Sequence, residues 1–390
     1  MIVVAGKNNI AVHALNSLVN RVGPDAVVAL PNQNDVGEDT WQRSFRLAAN
    51  RAGVKVSSLG DLDESSVNLF VSLEYDQIIN PEKFKSSYLY NIHFSALPKY
   101  KGMYTSIWPV LFGDAESGVT LHEIDKGIDT GAICSQRKFQ VCTNDRSRDV
   151  YRKCIKNAIA LFDDCIDDLL SESLVSAPQS PVKSSYFSKN TIDFSSLEID
   201  LNCTAWELQR QIYAYSFREY QLPKVFGKSI VEVGITPNRS FKKAGSLIED
   251  NEDRLRVATV DYDVVLYVDK LHGVLDSIKT CRPEQVPELL NHIAGINDRN
   301  EKGWSPLIVS SFNGNYGVVE KLLSLGADVN DFNNKGTTVL MYAKDFAIEN
   351  GDKRIFDLLK SYGADVEAKD FQGKTLRDYV NTEQARFLGI

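Results

Sequence analysis

The chain has no pair of cysteines at metal-ligand spacing. Its six cysteines (Cys134, Cys142, Cys154, Cys165, Cys203 and Cys281) are scattered and form no C-x-x-C. That argues against a thiolate zinc cluster or a disulfide framework and predicts reduced thiols, as in a cytosol. Basic excess is missing as well: 44 Lys and Arg stand against 52 Asp and Glu, a formal charge of −8. A broad surface for nucleic acid or anionic lipid needs the opposite sign, so neither is an expected partner. No apolar run approaches the roughly 18 residues needed to span a bilayer. The opening MIVVAGKNNI turns polar after five residues without a basic leader, so it reads as a first strand and not a signal peptide. What remains is a soluble, cytoplasmic protein of ordinary composition, 43% apolar and 25% charged. Its 390 residues predict two or three domains.

From residue 1 to about 180, short apolar runs alternate with amphipathic stretches. Ile2–Ala5, Ala26–Leu30, Val67–Leu73 and Tyr88–His93 read as strands, and Ile10–Val19 as a helix. Glu38–Ala52 also reads as helical, with Trp41, Phe45 and Ala48 on one face. Val119–Ile124 and Gly131–Val141 predict further strands, and Asp149–Leu170 a long closing helix. This β-α-β alternation predicts an α/β domain whose mostly parallel sheet has helices on both faces. Residues 171–183, SESLVSAPQSPVK, are rich in Ser and Pro and read as a linker. Residues 184–268 hold one helical stretch and several alternating runs, a small β-rich segment.

The last third, 270–390, repeats itself. KGWSPLIVSSFNGNYGVVEKLLSLGADVN recurs as KGTTVLMYAKDFAIENGDKRIFDLLKSYGADVE. Gly303 and Gly336 are 33 residues apart and Gly336 and Gly373 are 37 apart, so the second copy has four extra residues near Phe346–Gly351. The period, the G-x-[ST]-x-L start and the G-A-D-V end look like ankyrin repeats. Single units of this kind cannot bury their faces, so a degenerate copy at 270–301 and a truncated one at Gly373–Val380 are expected to cap the array. Most such arrays bind proteins. Trp304 follows Gly303 in the hairpin, where side chains are usually exposed, and is a candidate for a second ligand site that stacks on a nucleobase.

The chemistry centres on NIHFSALPKYKG, residues 91–102. Asn91 and His93 are i, i+2 on a strand and share a face. A carboxylate that orients the imidazole would complete a proton-handling site. Asp129, in EIDKGIDTGAI, is the best candidate, because Gly127 and Gly131 bracket a tight loop between two strand patterns. Gly6-Lys7-Asn8-Asn9 is not a G-x-G-x-x-G; it is either a phosphate cradle at a helix N-terminus or a plain tight turn. Lys101 is equally readable as a diphosphate ligand or a solvated loop charge.

The two stretches together resemble the paired signatures N-x-H-x-S-x-L-P and D-x-G-x-D-x-G of the folate-dependent formyltransferases. Phe94 stands where the family often has Pro, which touches loop shape and not the catalytic residues. The resemblance implies a Rossmann-like catalytic domain over residues 1–180 and N10-formyltetrahydrofolate as formyl donor. It also implies catalytic roles for Asn91, His93 and Asp129. Formyl transfer to an amine passes through a tetrahedral oxyanion, where each well-placed donor is worth about 3–4 kcal/mol. Asn91 and His93 fit that role, and Asp129 would help take the proton from the attacking amine. No metal is required. For the pterin the resemblance implies Gln77, Ile78 and Ile79 together with Asp125 and Ile128; on the cradle and diphosphate readings above, Lys7, Asn9 and Lys101 are the candidates for the acceptor.

Three branches of the family are open. A methionyl-tRNA-type enzyme is expected to have basic surface in its C-terminal part, and none is evident in 184–390. The purine-pathway enzyme ends soon after its catalytic domain. Phe217-Arg218-Glu219-Tyr220-Gln221-Leu222-Pro223, followed by Gly227-Lys228, resembles the nucleotide-sugar branch. That implies a dTDP-linked amino-dideoxy sugar as acceptor, with the amine at C3 or C4. It also implies Tyr220 and Gln221 as substrate residues, and a homodimer formed through the β-rich segment. A different class of reading is an ankyrin adaptor with an inactive formyltransferase domain.

Overall fold

The computed structural model describes all residues, Met1–Ile390. They form two compact units, Met1–Leu197 and Glu198–Ile390.

In the first unit, β1 (Ile2–Gly6) leads into α1 (Asn8–Val22), then β2 (Val27–Pro31), α2 (Phe45–Arg51), β3 (Lys55–Val56), β4 (Leu69–Leu73) and β5 (Leu89–His93). A short strand β6 (Lys101–Gly102) and α3 (Trp108–Phe112) precede β7 (Glu116–Glu123), β8 (Ile133–Gln140), α4 (Ser147–Leu170) and β9 (Tyr186–Phe187). The main sheet has the order β3-β2-β1-β4-β5-β7-β8. Its first five strands pair in parallel and β7 and β8 add antiparallel. The central strands are near-continuous apolar runs because both faces are covered. Strand order reverses between β1 and β4. In open α/β sheets that reversal opens a crevice beyond the carboxyl ends of the strands, where ligands bind.

Three readings change. The helix expected at Glu38–Ala52 starts only at Phe45, because polar side chains upstream take the backbone donors. Ser44 Oγ accepts from Leu47 N at 3.0 Å, Asp39 from Ser44 N and Asp35 from Arg46 N, both at 2.9 Å. Trp41 therefore lies outside the helix, with its ring 6.0 Å from that of Tyr151. On the sheet, α1 and α4 do not cover both faces. Val3, Ala5, Phe70 and Leu89 pack instead against Leu62, Val67 and Ile79, from the turns that flank β4.

The 171–183 stretch is not a loose linker either. Ala177 bridges to Ile133, and Gln179 Nε2 donates to both Asp129 O and Gly131 O at 2.8 Å. Apolar content is low there, but hydrogen bonds to the loop before β8 hold the segment in place.

The second unit opens with α5 (Ala205–Tyr215), capped by a Thr204–Glu207 box, which packs on a five-stranded antiparallel sheet. Its strands are β10 (Lys224–Val225), β11 (Lys228–Ile235), β12 (Leu247–Asp250), β13 (Arg254–Ala258) and β14 (Asp263–Val268), in the order β10-β11-β14-β13-β12. Helix pairs follow: α6 (Leu271–Ile278) with α7 (Val286–Leu290), α8 (Pro306–Phe312) with α9 (Tyr316–Ser324), and α10 (Val339–Asn350) with α11 (Arg354–Ser361). The last helix is α12 (Thr382–Leu388). The four extra residues of the second copy lengthen α10, which Gly351 then ends in a left-handed C-cap. One apolar cluster runs from Leu271 to Leu388, so the helices share a core that no repeat makes alone.

Candidate active site

Asn91 and His93 reach the carboxyl end of β5, and the antiparallel register places His122 of β7 directly opposite Asn91. Asp129 arrives on the loop between β7 and β8. That loop is tight because Gly131 passes so close to Glu123 that a Cβ would lie 1.8 Å from its carbonyl oxygen. Asp129 itself adopts a left-handed φ of 54°. Its Oδ1 lies 3.4 Å from His93 Nδ1, 3.5 Å from His122 Nε2 and 3.3 Å from Asn91 Nδ2, while Oδ2 accepts from Gly102 N at 2.8 Å. The three catalytic candidates therefore meet around one carboxylate; His93 and Asp129 have little solvent access, and Asn91 is half-buried.

Burial by itself would raise the Asp129 pKa. The charge of His93, first among the opposing causes, and the Gly102 N–H hold the carboxyl well below the usual carboxylate range all the same. Asp129 is thus a permanent anion at neutral pH. His93 Nε2 lies 2.8 Å from Tyr100 O, which can only accept, so that nitrogen carries a proton and Nδ1 faces the carboxylate. His122 Nδ1 donates to Glu123 O at 2.7 Å, because that carbonyl can only accept, and Nε2 accepts from Asn91 Nδ2 at 3.1 Å. Asn91 thus has one amide hydrogen on His122 and the other on Asp129.

The pterin candidates occupy two loops tied by the Lys126–Glu82 ion pair (2.5 Å). Ile78 and Ile128 are exposed apolar side chains on these loops, 79% and 43% accessible, as a planar heterocycle would require for cover. Gln77 Nε2 donates to Tyr75 OH at 3.0 Å. Asp125 organises its own loop, accepting from Gly127 N and Thr130 Oγ1. Ile79 departs from expectation: its side chain is in the core beneath the sheet, which leaves only its backbone for a ligand.

Among the acceptor candidates, Lys7 precedes α1 and its N–H bonds Leu73 O at 3.2 Å. Asn9 Oδ1 accepts from Arg43 N at 3.2 Å, and Lys101 Nζ donates to Ser184 Oγ at 3.1 Å. Tyr220 is exposed, and Gln221 donates to Tyr215 O within the turn that it forms with Phe217. Between them Arg218 grips the carboxylates of Asp269 and Asp298, so much of this string is structural. Trp304 is partly exposed. Its Nε1 donates to Tyr342 OH at 3.1 Å, and its ring lines a cavity of about 330 Å³ with Leu275, Phe312 and Tyr342.

The formyl transferase family model matches residues 20–164, and a model of three ankyrin repeats matches residues 277–370. WlaRD, a sugar 3N-formyl transferase solved with dTDP and 5-N-formyl-THF, is 38% identical; the match covers 68% of this chain and 97% of WlaRD, with a TM-score of 0.63. The N-formyltransferase of Helicobacter canadensis, solved with folinic acid and dTDP-3-aminofucose, is also 38% identical over 69% of this chain and all of its own, again at 0.63. The chain belongs to the sugar N-formyltransferases. Methionyl-tRNA formyltransferases are more distant: that of Nitrosospira multiformis is 27% identical over 55% of this chain and 66% of its own length.

In this sugar N-formyltransferase two features of the site escaped sequence reasoning. His122 was missed because its partner on β5 is set by strand register; the only local signal was a second His just before the D-x-G-x-D-x-G loop. The other is a largely enclosed polar set at the β1–β4 reversal, with Asn8 buried and Gln42 and Glu74 half-buried. Asn8 donates to Glu74 and, at 2.6 Å, to Tyr151 OH, which accepts from Gln42 and donates to Glu74, both at 2.7 Å. Its members are scattered over 143 residues.

Proposed function

We propose that this enzyme moves the formyl group of N10-formyltetrahydrofolate to the amine of a dTDP-linked 3-amino-dideoxyhexose. The observation that carries the reading is the grouping of Asn91, His93 and Asp129 around one buried carboxylate, in a chain 38% identical to two sugar N-formyltransferases solved with dTDP or dTDP-3-aminofucose.

The donor supplies a formyl carbonyl whose oxygen gains charge as the amine adds to its carbon. His93, through a proton on Nδ1, and Asn91, by releasing one amide hydrogen from His122 or Asp129, donate to that oxygen. Asp129 stays ionised and balances the charge on His93, which gives its Nδ1 proton to the folate nitrogen as the old C–N bond breaks and recovers the proton that the amine loses in forming the new one. Exposed Ile78 and Ile128 cover the pterin.

The enzyme acts in the cytoplasm as a homodimer through its β-rich segment, where Phe226 and Tyr262 are exposed. Its product suits transfer into a surface polysaccharide such as an O-antigen. No helix is long and apolar enough to cross a membrane. The test is incubation with formyl donor and, separately, dTDP-3-amino sugar, dTDP-4-amino sugar and initiator Met-tRNA. Gain of one formyl group by the 3-amino sugar is expected, and formylation of the tRNA with neither sugar modified sinks the reading. His93→Asn is expected to abolish turnover with the fold intact; full turnover in that variant removes His93 from the site. The cavity beside Trp304 favours a second reading, in which the ankyrin region holds a nucleotide sugar of its own. Calorimetry should then find one fewer bound dTDP-sugar in Trp304→Ala, and unchanged stoichiometry leaves the repeats as a protein-binding surface.

A further inference from the structure

The loop after β5 holds both catalytic groups by its backbone. Tyr100 O takes the His93 Nε2 hydrogen, and Gly102 N–H binds Asp129, each at 2.8 Å. This loop is conformationally costly, because Tyr100, Gly102 and Tyr104 adopt positive φ of 62°, 88° and 60°, and two of the three are not glycine. Such a path persists only where the surroundings over-determine it.

Strand β9, beyond the closing helix, does this. Tyr100 N donates to Ser185 Oγ at 2.8 Å, Lys101 N to Ser185 O at 2.9 Å and Met103 N to Phe187 O at 2.8 Å, while Ser185 N returns a bond to Pro98 O at 3.2 Å. These bonds alternate with the catalytic ones along the loop, so shifting the strap moves Tyr100 O and Gly102 N. Contact is close enough that a Cβ on Gly102 would lie 2.2 Å from Phe187 O. The strap is fixed in turn by the Phe187 ring, stacked on Trp108 at 3.9 Å and 18°, with Tyr100 and Phe112 about it at 6.1 and 6.0 Å.

We propose that Ser185 and Phe187 are positioning residues for formyl transfer, setting the places of His93 and Asp129 through the backbone of Tyr100–Gly102. This rests on the formyl-transfer reading of the site. Neither residue bears charge or moves a proton. Their effect is geometric, and a misplacement of about 1 Å in a reacting group costs roughly 100-fold in rate.

Full-length Ser185→Ala, Ser185→Thr, Phe187→Ala and Phe187→Leu test it. Expected are a fall in kcat of about tenfold for Ser185→Ala and roughly 100-fold for Phe187→Ala, with both KM values within about twofold. Ser185→Thr, which keeps the hydroxyl, should restore most of the rate, and Phe187→Leu part of it. In the NMR spectrum the His93 Nε2–H proton should move upfield in Ser185→Ala as its bond to Tyr100 O lengthens. A merely structural role lowers the melting temperature without moving that resonance or the kcat of the folded enzyme. Ser185→Ala alone decides if Phe187→Ala does not fold: wild-type kcat with an unshifted His93 signal overturns the proposal. Wild-type enzyme that formylates no amino sugar overturns the functional reading instead, and the resonance, read without acceptor, still tests the strap.

Discussion

Replacing His122 by Phe isolates what the β7 strand contributes to catalysis. The ring is buried, its Cα is paired in register with Asn91, and its Nε2 accepts one of the two Asn91 amide hydrogens at 3.1 Å. Phe fills the volume but accepts nothing. One buried N–H is then left unsatisfied, at a cost of about 1–3 kcal/mol. The amide escapes that cost by turning, which also releases its 3.3 Å bond to Asp129 Oδ1. Stability and transition-state geometry share the loss, and at about 1.4 kcal/mol per decade kcat should fall roughly 10- to 100-fold. Gln at 122 offers a carbonyl oxygen in the same direction and should recover about tenfold of it. The assay is initial rate with both substrates saturating, alongside thermal melts of each variant. A folded His122→Phe enzyme at wild-type kcat refutes the reasoning, since Asn91 would then need no partner on β7.

Other outcomes follow from the same geometry. Because Asp129 is held below the usual carboxylate range, the activity profile should show no inflection from it near the ordinary carboxyl value of about 4. Its depressed pKa contributes stability that is present above the unfolded value of about 3.9 and is lost as pH falls through the lower folded value. The stability gap between wild type and Asp129→Asn, read by urea melts, should therefore be larger at about pH 6 than at about pH 2. Arg218→Leu should lower the unfolding free energy of the second unit, read by urea melts, by about 3–5 kcal/mol, because it strands the fully buried Asp298 without its cation. Burial pushes the Cys134 thiol up to about 12 and Cys203 to about 11, and raises Cys154 and Cys165 too. Native thiol titration with an aromatic disulfide should label exposed Cys142 first, and fast labelling of Cys134 refutes that assignment.

What the amino-acid sequence determined by itself is local or periodic. Apolar runs placed the strands, because a buried parallel strand must be apolar on both faces. Asn91 and His93 fall on one face because a strand repeats every two residues, and the 33-residue period declared the repeats. Even so, the helix at Glu38–Ala52 failed where Asp35, Asp39 and Ser44 took the backbone donors. Only the tertiary structure decided what depends on register and on long-range bonds. It set His122 against Asn91, sent Ile79 into the core and drew Gln179, Ser185 and Phe187 back onto the catalytic loops. The physical reason is separation along the chain: Ser185 is 85 residues from the Tyr100 amide that it holds, and no periodicity encodes such a bond. It exists only once the sheet has closed and brought the strap beside β6.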